Sequence, residues 1–341
     1  MATGQTTLKD IGKIAGVSAR AVSAALNGTG RVSPELRDRI QHIALELNYR
    51  PNLMARGLVQ QKSSLIGTVF PYANVSFFND IISGIEERCS ENGYDLLLGN
   101  ANLIIENEER RALLRMINRN VDGILCAPDY RELELFRQLE KNGPPTIQVM
   151  TRIAESNLPF IGVDNVHGGF IATEHLIELG HRHIGFLTSS RPHYSEIECR
   201  YTGYMQALVK HGIRMDPQAS TIASDLTIEG GYAAGRDLLR NNPSMTAIFA
   251  PTDYAAIGVL RAGIELGRSI PEELSVVGFD DLSIAAEQIV YPLTTISQPK
   301  REIGLTAFDM VSHMIKGETP ENVSVKPQLI RRRTTASPST D

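Results

Sequence analysis

No stretch of the 341 residues is apolar for long enough to cross a bilayer, and the opening Met1-Ala2-Thr3-Gly4-Gln5 lacks the charged-then-apolar order of a signal peptide. The expectation is a cytoplasmic protein with no membrane partner. Cysteine is scarce. Cys89, Cys126 and Cys199 are scattered without metal-ligand spacing and read as reduced thiols rather than a disulfide framework. Nucleophile elbow, Walker loop and zinc motif are missing, and Gly168-Gly169 without a wider glycine fingerprint is no phosphate loop. His181 and His183 are spaced like a metal pair but have no evident third ligand. The short polar tail from Thr334 to Asp341 has no leucine heptads that would join dimers. No metal and no cofactor are expected.

What is present is concentrated at the amino terminus. Leu8, Ile11, Ile14 and Ala15 recur at helical spacing, with Thr7 as a hydroxyl cap, Asp10 in the first turn and Gly16 as a left-handed stop. Ser18 caps a second periodic run through Val22, Ala25 and Leu26, so two short helices hinged at a glycine form a helix-turn-helix. Ala19, Arg20, Ser23 and Ala24 face away from the apolar stripe. Small side chains there let the helix approach base edges, and the forked Arg20 suits guanine, while Ser18 and Ser23 suit phosphate contact or capping. A third segment, from Ser33-Pro34-Glu35 through Leu36, Ile40, Ile43, Ala44 and Leu47, closes a three-helix core. Pro51 then opens a run, Asn52 to Leu58, too brief to hold as a helix alone and weakened by Gly57. Residues 1 to 62 carry a net charge of +5 in a chain of net −5, which leaves −10 for the remainder. A basic head on an acidic body implies a polyanionic partner for the head only.

The run Asp10-Ile11, Ala15-Gly16-Val17-Ser18, Val22-Ser23 and Leu26-Asn27, continued by Asn48-Tyr49, Pro51-Asn52, Ala55-Arg56 and Leu58, resembles the headpiece of the lactose repressor and purine repressor (LacI/GalR) family. It departs at Gly12, where the family usually has alanine, and at Ala21, where it has threonine. The resemblance implies that Ala19, Arg20 and Ala24 lie at major-groove positions and that Leu58 is the hinge-helix leucine that wedges into the minor groove. With Thr7, Ser18, Ser23, Asn27, Arg31, Asn52 and Ala55 they form the expected DNA-binding set.

Beyond the polar linker, β-rich runs begin at Leu65, Asp95, Gly123, Thr146, Phe160, Ile184, Ala247 and Val276. They alternate with helix-period segments ended by Gly93, Gly143, Gly180, Gly212 and Gly267, which means parallel sheets covered by helices. The expected fold is an all-α helix-turn-helix headpiece (1–50), a hinge helix and linker (51–63), and an α/β body (64–341) of two doubly wound subdomains. By resemblance the body is similar to type I periplasmic sugar-binding proteins, with three crossings near Phe160 to Gly162, Tyr291 to Thr294 and Asn322 to Lys326. The first subdomain is then 64–161 and 293–322, and the second 162–292 and 323–335, with a last strand from Gln328 to Arg333.

Polar and aromatic residues following strands suit a polyhydroxylated ligand, since carboxylates accept from paired hydroxyls and rings pack on a sugar's apolar face. By resemblance Phe77, Phe78, Arg200, Asp253 and Asp280 line the effector cleft, and Arg152 and Asp164 complete the expected set. Asp164 and Asp281 equally suit helix caps, and one of the adjacent phenylalanines can be core. Arg331-Arg332-Arg333 reads as a solvated strand end. The expected function is a sequence-specific DNA-binding transcriptional repressor, a homodimer on a near-palindromic double-stranded operator, controlled by a small-molecule effector, a sugar. The alternatives are a sugar-acting enzyme using Asp164, Asp253 and Asp280, which leaves the head unexplained, or a sugar-binding receptor, which fits the body but lacks the expected export signal.

Overall fold

Two units, Met1–Ser63 and Ser64–Asp341, make up the chain. The computed structural model describes residues 6–26, 28–30, 32–49, 62–71, 76–101, 105, 107–128, 132–153, 155–189, 195–214, 220–223, 225–287 and 290–339.

In the first unit, α1 (Leu8–Ala15) starts at a reciprocal cap: the Thr7 hydroxyl accepts from the Asp10 amide at 3.4 Å, and the Asp10 carboxylate accepts from the Thr7 amide at 2.9 Å. Gly16, at φ 71°, turns the chain out of the helix in a conformation that only glycine adopts without strain. Ser18 accepts from the Ala21 amide at 3.2 Å and starts α2 (Ala19–Leu26), and Ser33 starts α3 (Pro34–Glu46) in the same way. Ile11, Ala15, Val22, Ala25, Ile40, Ile43 and Ala44 form the core. Ile14, expected in the apolar stripe, is instead 54% exposed. At about 100° per residue it falls well outside the arc shared by Leu8, Ile11, Gly12 and Ala15. The hinge helix, with Asn52, Ala55 and Leu58, lies outside the described residues, as do Asn27 and Arg31.

The body alternates strands and helices: β1 (Leu65–Pro71), α4 (Ser76–Glu91), β2 (Asp95–Ala101), α5 (Glu108–Asn118), β3 (Gly123–Cys126), α6 (Leu133–Asn142), β4 (Thr146–Val149) and β5 (Phe160–Val163). It continues through α7 (Asn165–Glu178), β6 (Ile184–Ser189), α8 (Ser195–Lys210), β7 (Ser220–Ala223), α9 (Ile228–Asn241), β8 (Ala247–Phe249), α10 (Asp253–Glu265), β9 (Ser275–Asp280) and α11 (Ser283–Glu287). Last come β10 (Thr294–Ser297), α12 (Lys300–Ile315), β11 (Val323–Val325) and β12 (Gln328–Ile330). The first sheet runs β11-β5-β4-β3-β1-β2, all parallel; the second runs β12-β10-β9-β8-β6-β7, parallel except for β12. Side chains of α4 and α12 fill one face of the first sheet and those of α5 and α6 the other, while α9 and α10 oppose α7 and α8 across the second. In sheets of this kind ligands bind beyond the carboxyl ends of the strands.

The chain crosses between the sheets three times, at places shifted from those expected. β5 pairs with β4 and β11 as far as Val163, so the first crossing falls at Asp164 rather than within Phe160 to Gly162. The second follows Ser297 rather than preceding Thr294, because β10 belongs to the second sheet. Its threonines look polar in sequence yet are fully buried, Thr295 donating its hydroxyl to Asp253 and Thr294 sharing a bond of 3.1 Å with Thr335. The third falls at Lys326 and Pro327, since β11 stays in the first sheet and β12 in the second. Of the expected glycine stops, Gly93, Gly180, Gly212 and Gly267 have positive φ, whereas Gly143 sits extended at φ −83°.

Candidate effector-binding and DNA-binding sites

Six residues of the expected DNA-binding set, Thr7, Ser18, Ala19, Arg20, Ser23 and Ala24, belong to described parts of the head. Arg20 is exposed in the first turn of α2, with Ala19, Ser23 and Ala24 partly exposed on the same short helix. Thr7 and Ser18 commit their hydroxyls to the starts of α1 and α2.

In the body, the last residue of β9 and the one after it are non-glycine residues with positive φ, Asp280 at 117° and Asp281 at 51°. Such conformations persist only where the surroundings hold them. Asp280, 8% exposed, accepts from the Gln298 side-chain amide at 2.7 Å and stands 3.7 Å from an Arg200 guanidinium nitrogen. Arg200, on α8, is 5% exposed; its Nε donates to the Asn165 Oδ1 at 2.9 Å, its Nη1 donates to the Pro251 carbonyl, and its guanidinium lies 3.6 Å from the centre of the Phe279 ring. That position is reached because α7 and α8 cross at van der Waals limits: a Cβ on Gly169 would fall 2.1 Å from the Arg200 carbonyl oxygen. Burial pushes the Asp280 carboxyl up, against the opposing pull of Arg200 and Lys300, and pulls the Arg200 guanidinium down.

The other expected effector residues take several places. Asp253 is fully buried, accepting from the Leu282 amide at 2.7 Å and from the Thr295 hydroxyl, so its carboxyl, raised by burial, braces the turn behind Asp280. Asp164 caps α7 by accepting from the His167 amide at 2.9 Å. Phe78 is core, stacked on Phe70 with centroids 5.0 Å apart, whereas Phe77 is half-buried and touches the cores of both subdomains. Arg152 is exposed, 5.5 Å from the Phe160 ring and near enough to Cys199 of the second subdomain to act on its thiol. The structure thus brings Arg200 and Asp280 together and puts Asp253, Asp164 and Phe78 in supporting positions. Gln298, Lys300, Phe279 and Glu196 were missed. Gln298 and Lys300 follow a strand that was itself missed, and Glu196 acts on Arg200 from one helical turn away. The buried Gln298 Oε1 has no hydrogen-bond partner among the described residues. A separate cavity of about 160 Å³, with Arg182, Tyr204 and Met245 in its wall, opens at the amino-terminal end of β6, the far end from this cluster.

His181 bonds to the Thr246 hydroxyl and the Ala336 carbonyl, and Arg332, beyond the end of β12 at Ile330 rather than in a strand running to Arg333, pairs with Asp281 at 2.7 Å, so these two side chains tie down the tail. His175 lies 3.0 Å from the Thr335 hydroxyl, and burial lowers its pKa from 6.5 to about 4. The unfolded chain therefore takes up this proton first as pH falls. Its stabilising share is full above pH 6.5 and lost between 6.5 and about 4, at up to about 1.4 kcal/mol per unit. Urea unfolding should show wild type losing stability relative to His175→Gln between pH 7 and pH 5; parallel curves would mean the imidazole is not neutral in the fold.

A cap-built helix-turn-helix head, followed by a two-subdomain binding-protein body with a buried arginine–carboxylate pair at the strand ends, defines a ligand-responsive DNA-binding protein. Residues 7–52 match the bacterial regulatory proteins of the lacI family, and residues 173–335 match the periplasmic binding protein-like domain. The HTH-type transcriptional repressor PurR of Escherichia coli O1:K1 is 34% identical over 334 residues, covering 97% of each chain. Among solved structures, the lac repressor dimer bound to operator and the anti-inducer ONPF is 25% identical, covers 98% of this chain and 100% of its own, and superposes with a TM-score of 0.86. The transcriptional regulator CelR–cellobiose complex is 29% identical over 96% of this chain and 99% of its own, with a TM-score of 0.72. The chain belongs to the LacI family of bacterial transcriptional regulators. It is a DNA-binding transcriptional regulator rather than an enzyme. Among the described residues no helix is long and apolar enough to cross a membrane.

Proposed function

We propose that the protein is a cytoplasmic homodimer that represses transcription from a near-palindromic operator, with α2 of each protomer in a major groove and the segment 51–58 in the minor groove between them. A small polyhydroxylated metabolite, a sugar, binds at the strand ends around Arg200 and Asp280. The observation that carries this reading is the buried Arg200–Asp280 pair flanked by the unpartnered Gln298 Oε1. A forked donor beside two acceptors matches neighbouring hydroxyls, each of which both donates and accepts, and Phe77 offers a ring to the apolar face of a sugar. In this reading Arg152 contacts the ligand from the first subdomain, and Asp164 acts through the start of α7 that it caps. The cellobiose bound by a regulator 29% identical to this chain supports the same ligand class. The coupling is a linkage: a ligand that prefers one angle between the subdomains must, by reciprocity, change operator affinity. Calorimetric titration of the purified protein with mono- and disaccharides, and with purine bases as the planar alternative, tests the ligand class. Binding of a sugar that Arg200→Met abolishes is expected; binding of a purine base alone would replace the sugar.

A further inference from the structure

Lys300 opens α12 at the second crossing between subdomains and is only 6% exposed. An ammonium so buried is costly unless its protons find acceptors. Its Nζ donates to the Asp280 carbonyl at 2.6 Å and to the Asp281 carbonyl at 3.1 Å, lies 3.8 Å from the Asp80 carboxylate, and sits 5.7 Å from the Phe77 ring centre. The two carbonyls belong to the two positive-φ residues of the second subdomain, whereas Asp80 and Phe77 lie on α4 of the first. One side chain therefore grips both bodies at their pivot.

The grip is transmitted because α4 and α12 are locked together. A Cβ on Gly84 would fall 2.3 Å from the Arg301 carbonyl oxygen, and one on Gly304 would fall 2.1 Å from that of Ile81. Backbones this close move together, and Arg301 pairs with Glu87 along the same seam. We propose that Lys300 is a positioning residue that fixes the Asp280 carboxylate in the cleft and carries any change in subdomain angle from β9 to α4. This rests on the reading of the cleft as an effector site for its purpose, though not for its geometry. Without the ammonium the carbonyls of Asp280 and Asp281 lose their donor, the strained turn relaxes, and α4 is released from β9.

The test is amide hydrogen exchange on the full-length, ligand-free protein, comparing wild type, Lys300→Met and Asp80→Asn. In Lys300→Met, exchange should rise at least tenfold both at residues 280–282 and in the first two turns of α4, with α9 unchanged as the distant reference. In Asp80→Asn, at a side chain 62% exposed and so tolerant of change, the rise should be confined to α4. Unchanged exchange at both segments in Lys300→Met would overturn the proposal, as would a uniform rise that includes α9, which marks a merely structural role. Should Lys300→Met fail to fold, Asp80→Asn decides alone: a rise in α4 supports the bridge and none overturns it. Because no ligand is present, this result is independent of the sugar titration, which tests the effector reading separately.

Discussion

Replacing Arg200 by alanine is expected to cost the body about 3–5 kcal/mol of unfolding free energy, the range for breaking a buried ion pair by removing one partner. Three interactions go at once: the bonds to Asn165 and to the Pro251 carbonyl, and the charge opposite Asp280. The cost arises from Asp280, left buried at 8% exposure without a cation on that side, so it should shrink as pH falls and the carboxyl, already raised by burial, takes a proton. Asp280→Asn in the same chain should therefore recover part of the loss. Urea unfolding of the two variants at pH 7 and pH 5 measures both effects. Ligand binding should vanish in Arg200→Ala, because the forked donor is gone and Asp280 is no longer aimed. An Arg200→Ala protein that unfolds at the wild-type midpoint would show that the pair is not buried as described.

The second large effect concerns DNA. Arg20→Ala should cost ~1–3 kcal/mol at one base pair of each half-site, the worth of a bidentate contact to guanine, and relax the preference there. Arg20 is exposed and takes no part in the headpiece core, so folding should be unaffected. Fluorescence titration against operators substituted at single positions measures it. Equal losses on every sequence, with a salt slope lowered by about one, would make Arg20 a phosphate contact instead.

Much of this was legible in the chain because the signals were local. Thr7 with Asp10, Gly16, and Ser33 before Pro34 specify helix ends through single side chains, and the structure has each cap where those residues stand. β3 and β5 were equally plain, being short apolar runs almost wholly buried. What escaped depended on distant partners. β10 reads as a polar run, and only Asp253, Thr335 and the Arg332 amide make its threonines buriable. Missing that strand displaced the second crossing and hid Gln298 and Lys300, which owe their positions to it. Asp253 and Asp280 were indistinguishable as carboxylates after strands; their difference lies in what each meets, internal donors on both oxygens for Asp253 and an arginine across the strand end for Asp280.

The most direct measurement is selection of bound fragments from a random double-stranded DNA pool by the purified full-length protein, at a stated salt concentration because phosphate contacts make affinity steeply salt-dependent. Enrichment of a near-palindrome whose half-sites carry a guanine lost from the Arg20→Ala selection is the predicted result. A pool that stays random at low salt, with and without candidate sugars, would contradict the reading of residues 7 to 58 as a sequence-specific DNA-binding head.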